Sequence, residues 1–465
     1  MKSPIIYIAL LFGWWSASCD SYLETDNFGK VLPETTEDYA SLINTWMFNV
    51  GDKYSGNPPY YTFYDVLRME AFTDNLNASL STGTSSSYIP MYVGAYMGSA
   101  IYRFEALYEP IRDANIVLDN MEDDGSELWD KTVAAARTLR GISYFTLMRE
   151  FCEPYEASSA GETMGVPIVD HFDMNAAPGR GDLQTTVNFI VNDLRKAVEM
   201  NMNDEAYPMT SDVAEAFLAR TYFWGQEWQN AIETAQSVLE KYPLAENDEY
   251  EAMIQSVPPL ETLPQEVIFA TWTQNSPTTM FNNIYSRYSR YRPLDLDLAA
   301  LFEEKERDIR YELFFDKEFL NTKRMNGFVR SSEMCLIIAE SYAHLGDETN
   351  ALRYLNMLRE KRISDYQPLT ADNLPSATTC GLVTTDCTGA ALTPLMAAIL
   401  NERRKELYME CDRWFELKRN GRPEFWVGYN GVKYTTEQYM YTWPLRNHDL
   451  IANPDLQQNP GYDQL

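Results

Sequence analysis

Two stretches far apart in this chain repeat one spacing of small, aromatic and chain-turning residues. In residues 212–245 the helical run Asp212 to Gly225 is followed by Trp228 to Pro243, with Leu218, Ala219, Tyr222, Ala231 and Pro243 at the marking positions. Residues 332–365 place Ile338, Ala339, Tyr342, Gly346, Ala351 and Leu355 at the matching ones. Small Ala219 and Ala231 let two helices approach closely, and Tyr222 fills the gap beside them. Pro243 stops the second helix, because its nitrogen has no hydrogen to donate. Leu345-Gly346-Asp347 makes the turn in the second copy. Such units cannot bury their faces alone and must stack.

The period is that of the 34-residue tetratricopeptide repeat. A weaker unit centres on Ala136 to Phe145 and pairs with the later helix Val187 to Met200. A further helix, about 394–419, carries Met396, Leu400, Leu407, Cys411 and Trp414 on one stripe. The expected fold class is all-α, tetratricopeptide-like helical repeats in four helix pairs. Long irregular inserts interrupt them at residues 50–100, 245–300 and 364–394, and loops of such length usually carry function.

Charge excludes one large class of partner. With 38 Lys+Arg against 68 Asp+Glu the net charge is −30, so the chain lacks the basic face that duplex nucleic acid needs. Only 3 His are present (His171, His344, His448), and no HExxH helix, so a His-based zinc hydrolase is not expected. No GxGxxG, P-loop or GxSxG occurs. We expect no enzyme activity, no cofactor and no metal. Asp74, Asn75 and Asn77 offer oxygen ligands but lack the Gly and closing Glu of an EF-hand. Arg180-Gly181-Asp182 spells an adhesion tripeptide, yet reads better as a turn with Asp182 capping the next helix. In the charged helix, Arg403–Glu406 and Glu410–Arg413 are spaced for i,i+3 ion pairs.

The amino terminus reads as an address. Lys2 precedes the apolar run Ile5 to Trp15, then small Ser16-Ala17-Ser18 and Cys19. The run is shorter than the ~20 residues a spanning helix needs. Residues 1–18 are read as a lipoprotein signal peptide and Cys19 as the lipidated (palmitate-bearing) first residue of the mature chain. The alternative is an ordinary signal peptide, since Ser16 stands where lipoprotein signals usually have Leu. Cys380 and Cys387 close a short polar loop that a disulfide could staple in an exported protein. Cys335 and Cys411 sit on apolar stripes as buried thiols.

Several segments, in order, carry a family resemblance. They are Asp20-Ser21-Tyr22-Leu23-Glu24, Ile111-Arg112-Asp113-Ala114-Asn115-Ile116-Val117-Leu118, Leu139-Arg140-Gly141-Ile142-Ser143-Tyr144-Phe145 and Gly165-Val166-Pro167-Ile168-Val169. The most specific runs from Glu402 to Arg419, followed by Asn453-Pro454-Asp455 and Asn459-Pro460-Gly461-Tyr462 near the end. Together they resemble the SusD/RagB family of outer-membrane nutrient-binding lipoproteins. Two departures are Cys152 after Phe151, where the family has Gly, and Glu410-Cys411-Asp412-Arg413 for its "EG.R". The resemblance implies a single SusD-like domain over residues 19–465. Residues 19–245 would hold the first repeat-like helices, and 246–465 an irregular insert plus the C-terminal SusD/RagB region. It also implies a non-catalytic surface protein of a polysaccharide-utilisation system, anchored in the outer membrane through Cys19, with a SusC-like TonB-dependent barrel as partner.

Aromatics make up 13 % of the chain and cluster in the inserts. A sugar ring has an apolar face that stacks on an aromatic plane, and hydroxyls that bond Asn, Asp and Arg. The expected glycan-binding residues, chosen by region, are Asp74, Asn75, Tyr92 and Tyr96 in the first insert, and Trp272, Asn283, Tyr285, Arg287 and Tyr288 in the second. The expected function is capture of an oligosaccharide or polysaccharide and its delivery to the barrel. Alternatives are a peptide-capturing RagB-like protein, since the same rings suit apolar side chains, or a structural adaptor of the transporter.

Overall fold

The computed structural model describes residues 33–48, 59–61, 63–77, 79, 92–97, 103–173, 175, 177–204, 208–256, 264–271, 292–323, 327–429 and 431–462. In chain order the elements are α1 (Thr36–Phe48), α2 (Phe63–Ala71), α3 (Val93–Met97), α4 (Arg103–Asn120), α5 (Glu127–Phe151), α6 (Leu183–Met200), α7 (Ser211–Trp224), α8 (Trp228–Lys241), α9 (Asn247–Gln255) and β1 (Val267–Thr271). Then come α10 (Leu296–Ala300), α11 (Ile309–Phe314), β2 (Gly327–Arg330), α12 (Ser331–His344), α13 (Glu348–Glu360), α14 (Pro394–Glu406), α15 (Arg413–Arg419), β3 (Phe425–Tyr429), β4 (Val432–Thr436) and α16 (Asn447–Ala452).

Side-chain caps fix where the long helices begin. Ser126 accepts from Trp129 N at 3.1 Å, Asp182 from Thr185 N at 2.7 Å, Thr210 from Val213 N at 3.2 Å and Asp347 from Asn350 N at 3.0 Å. Each satisfies one of the amides that a first turn leaves unpaired. Asp182 of the Arg-Gly-Asp triplet is thus a helix cap. Successive helices α4 to α8 pack on their neighbours, and α8 packs on α12 across the intervening insert. The small residues act as expected: Ala219, Ala231, Ala339 and Ala351 are all fully buried. The fold is mostly helical and tetratricopeptide-like, with two short antiparallel ribbons, β1–β2 and β3–β4.

The segment read as one helix from 394 to 419 is two. The chain leaves α14 at Glu406 and resumes at Arg413, with Met409 and Cys411 in the left-handed region at φ 60° and 59°. Buried cations take up the carbonyls released by the break. Lys323 Nζ donates to Tyr408 O at 2.6 Å, and Arg330 Nη2 to Glu406 O at 3.2 Å. The expected i,i+3 pairs give way to longer-range ones. Arg403 binds Asp412 at 2.6 Å, and Arg413 binds Asp74 at 2.7 Å through both its nitrogens.

These pairs belong to a buried network. Glu406 accepts from Arg330 at 2.9 Å, Arg362 at 3.1 Å and Arg310 at 3.0 Å, and all four side chains have no solvent exposure. Arg330 and Arg362 also share Glu266, at 2.6 and 2.9 Å. Arg310 reaches Asp308 and Glu402, both at 2.7 Å. Against the desolvation of burial, Arg362, Arg330 and Arg310 hold the Glu406 carboxyl well below its usual range. The network ties the β1–β2 ribbon and the end of α13 to α14.

The other motif residues are locks of the same kind. Arg140 on α5 donates to both oxygens of Asp193 on α6 (2.6 and 2.8 Å), and to Asn115 Oδ1 on α4 at 2.6 Å. Asn115 in turn donates to Val169 O at 2.9 Å, and Val169 N donates to Tyr144 OH at 2.8 Å. Asn459 near the C-terminus donates to Phe151 O (2.9 Å) and Trp443 O (2.6 Å).

Candidate binding site

The two aromatic inserts meet where their described ends run side by side. Asn77 N donates to Pro293 O at 2.8 Å and Asp295 N to Asn75 O at 2.8 Å. Asn77 Nδ2 adds a bond to Asp295 Oδ2 at 3.1 Å. Residues 75–77 of the first insert and 293–295 of the second are therefore neighbours, although 218 residues separate Asn77 from Asp295.

The β3–β4 ribbon stands beside that junction. Tyr92, just before α3, stacks on Tyr434 of β4 with ring centroids 3.9 Å apart and planes 13° from parallel. Desolvation and the neighbouring Tyr434 raise the Tyr92 hydroxyl above its usual pKa. On the other side of the ribbon Gly428 leaves room: a Cβ there would lie 3.5 Å from Ser79 Oγ and 3.6 Å from the Trp426 ring. Cross-strand pairing sets Gly428 opposite Lys433 and Trp426 opposite Thr435, so these four share one face. Trp426 is 58 % exposed, and Lys433 Nζ lies 5.3 Å from its ring centroid. An exposed indole flanked by an ammonium and hydroxyls can stack an apolar ring face while bonding its polar edge.

The expected site residues divide. Tyr92 reaches the ribbon; Tyr96 lies on α3, and its side chain is outside the described residues. Trp272, Asn283, Tyr285, Arg287 and Tyr288 are also outside the described residues, as is Cys19. Asp74 and Asn75 serve the interior instead. Asp74 is gripped by Arg413, with Arg404 Nη2 at 3.2 Å. Despite burial, Arg404 and Arg413 hold its carboxyl below the usual range. Asn75 is fully buried, donating to Glu70 at 2.5 Å and accepting from Arg404 Nε at 2.7 Å. Their polar atoms are committed to joining α2 and α14, which leaves the exposed ribbon to offer the surface.

Cys380 and Cys387 are not bridged. The Cys380 thiol turns inward to α14, 3.4 Å from both Ala397 O and Asn401 Oδ1. Cys387 instead faces His344 on α12 at 3.4 Å. Each sulfur has its own polar partner, which removes the expected staple. Cys335 is a buried thiol on α12, as its stripe indicated; Cys411 is buried too, but in the break between α14 and α15 and not on a helical stripe.

Sequence reasoning missed Trp426, Lys433 and Tyr434. Their signal was a hairpin cue: two short aromatic and β-branched runs on either side of Asn430-Gly431, a pair that favours a tight turn. A separate cleft of about 350 Å³ lies between α4 and the chain around residues 167–178, lined by Phe104, Tyr108, Arg112, Phe172, Asp173 and Asn453 among others. No helix among the described residues is long and apolar enough to cross a membrane.

Comparison with known proteins bears on both the fold and the motif locks. A model of the SusD family matches residues 320–462. A second, described as "Starch-binding associating with outer membrane", matches residues 21–223. A tetratricopeptide repeat model matches 218–245. A SusD-like protein of Formosa agariphila is 31 % identical over 134 residues, which is 29 % of this chain and 24 % of that protein. The chain thus matches about a quarter of that relative's length. A SusD superfamily protein of Bacteroides vulgatus superposes with a TM-score of 0.72 at 19 % identity, covering 93 % of this chain and 100 % of that one. One from Bacteroides thetaiotaomicron gives 0.69 at 20 % identity, covering 92 % and 100 %. A SusD-like carbohydrate binding protein of Bacteroides vulgatus gives 0.67 at 19 %, covering 91 % and 98 %. At these identities the structures establish the shared fold. With family models matching both ends of the chain and that fold spanning it, the chain belongs to the SusD/RagB family.

Proposed function

We propose that the chain is a surface lipoprotein, held at the outer membrane through an acylated Cys19, that binds an oligosaccharide or polysaccharide nutrient and passes it to a SusC-like TonB-dependent barrel. No bond is broken in this role. The observation that carries the reading is that Trp426, on the β3–β4 ribbon beside the contact between residues 75–77 and 293–295, is 58 % exposed. Large rings are normally mostly buried, so an indole held open at a junction of binding loops favours a stacking platform. The description of the family as starch-binding and associated with the outer membrane supports the same reading.

The test is titration calorimetry of the mature protein against a panel of oligosaccharides. A sugar face covering roughly 50 Å² of indole contributes about 1.25 kcal/mol, so Trp426→Ala should weaken binding by about eightfold. Helical circular dichroism should be unchanged, because the ring packs little. A fully helical protein that binds no glycan in the panel would overturn the proposal. Co-purification of the barrel tests the delivery step separately.

A further inference from the structure

A cluster outside the aromatic junction has the composition of a metal site. Glu340 and His344 are four residues apart on α12 and so share a face. Cys387, from the loop after α13, closes on them. His344 Nε2 lies 3.4 Å from Cys387 Sγ and 3.9 Å from Glu340 Oε1. One donor atom of each residue falls within 4.8 Å of the other two. A metal bonded to nitrogen at about 2.0 Å and sulfur at about 2.3 Å in tetrahedral angles needs those atoms about 3.5 Å apart, which matches the His344–Cys387 separation.

Three further observations point the same way. Among the described residues Glu340 Oε2 has no hydrogen-bond partner, although its side chain is fully enclosed. The second ring nitrogen, His344 Nδ1, faces Asp386 Oδ2 at 3.9 Å, the outer carboxylate that orients most metal-binding histidines. Trp228 lies flat on the imidazole, centroids 4.2 Å apart and planes at 16°, and shields it from water.

The loop is also built to hold its position. Asp386 Oδ1 accepts from Thr388 N at 2.8 Å and Ala390 N at 3.1 Å, and Gln226 Nε2 donates to Cys387 O at 3.0 Å. Arg419 Nη2 donates at 2.9 Å to Glu340 Oε1, the oxygen 3.9 Å from His344, so the carboxylate is held in place while its Oε2 keeps its lone pairs free.

We propose that Glu340, His344 and Cys387 bind one soft divalent transition metal, Zn²⁺ by the chemistry of the donors, with water at the fourth position. Thiolate plus imidazole selects against Ca²⁺ and Mg²⁺, which prefer oxygen alone. A thiolate and a carboxylate balance the charge of the ion. Bound there, it pins the residue 380–391 loop to α12. The site is independent of the glycan reading.

The experiment uses the mature chain, reduced and stripped of metal, titrated with Co²⁺ and then Zn²⁺. One equivalent of cobalt should produce a thiolate-to-cobalt charge-transfer band that zinc then displaces. Cys387→Ser and His344→Gln should each remove the band or weaken binding by about 100-fold or more, and Asp386→Asn by about 10- to 100-fold. Cys335→Ser should leave it intact. Zinc should raise the unfolding temperature of the parent chain and not of Cys387→Ser, a readout that does not depend on colour. Absence of the band at saturating cobalt in helical, reduced protein would overturn the proposal. So would a band that survives Cys387→Ser. Either result would leave His344 as no more than an ion-pair partner.

Discussion

Glu406→Gln removes the charge from a carboxylate shared by three guanidiniums while keeping its shape. Arg310, Arg330 and Arg362 lie at 3.0, 2.9 and 3.1 Å from it, with no exposure on any of the four side chains. Breaking a buried ion pair from one side costs about 3–5 kcal/mol, because the remaining charge cannot reach water. Here each cation keeps another anion: Asp308 and Glu402 for Arg310, Glu266 and Glu410 for Arg330, Glu266 for Arg362. That places the loss near the lower end, about 3 kcal/mol. At about 2 cal/mol/K of unfolding entropy per residue, a chain of 465 residues changes by about 1 kcal/mol per degree, so the melting midpoint should fall by about 3 °C. The control is Glu246→Gln, whose pair with Lys361 is largely exposed (70 % on the Glu side) and screened by water, so its loss should barely move the midpoint. Thermal unfolding followed by tryptophan fluorescence measures both variants. If Glu406→Gln shifts the midpoint no more than Glu246→Gln, the buried network does not hold the ribbon and helices together as argued.

Single contacts give further expectations. Buried Glu70 is pushed up to about 7 by desolvation, against its hydrogen bond from Asn75, and from an ordinary 4.5. The folded state keeps that proton longer, so its contribution to stability is lost as pH rises from about 4.5 through about 7. Glu70→Gln should therefore gain on the parent by about 3 kcal/mol between about pH 4.5 and about pH 8; parallel urea curves across that range would refute it. Gly165→Ala would set a Cβ 2.4 Å from Asp182 O, a backbone atom that cannot swing aside. Gly141→Ala would meet the Leu194 side chain at 2.5 Å. Both should destabilise by about 1–3 kcal/mol, Gly165→Ala the more, by thermal unfolding. Asp182→Ala loses the cap on Thr185 N and should cost about 1 kcal/mol in urea while leaving glycan titrations unchanged.

How far the chain could be read before folding depends on the range of each signal. The repeat pairs were legible because Ala219, Tyr222 and Pro243 act within one or two turns of their own helix. Asp182 was legible as a cap for the same reason. The break after Glu406 was not, because nothing local ends that helix. Lys323 and Arg330, remote in the chain, make the break tolerable by binding the freed carbonyls. Asp74 and Asn75 looked like surface polar residues for a similar reason: the arginines that claim them are more than 300 residues on. Trp426 was overlooked because the aromatic count drew attention to the inserts, while its value comes from a hairpin that leaves the ring uncovered.

Amino-acid order alone determined the helical period, the small residues where helices touch, the caps and the family motifs, all written in short-range spacing. Tertiary structure decided which charges are buried together, that Cys387 faces His344 and not Cys380, and that residues 75–77 and 293–295 meet beside the β3–β4 ribbon. Those outcomes depend on distances between residues remote in the chain, and only the packed fold sets them.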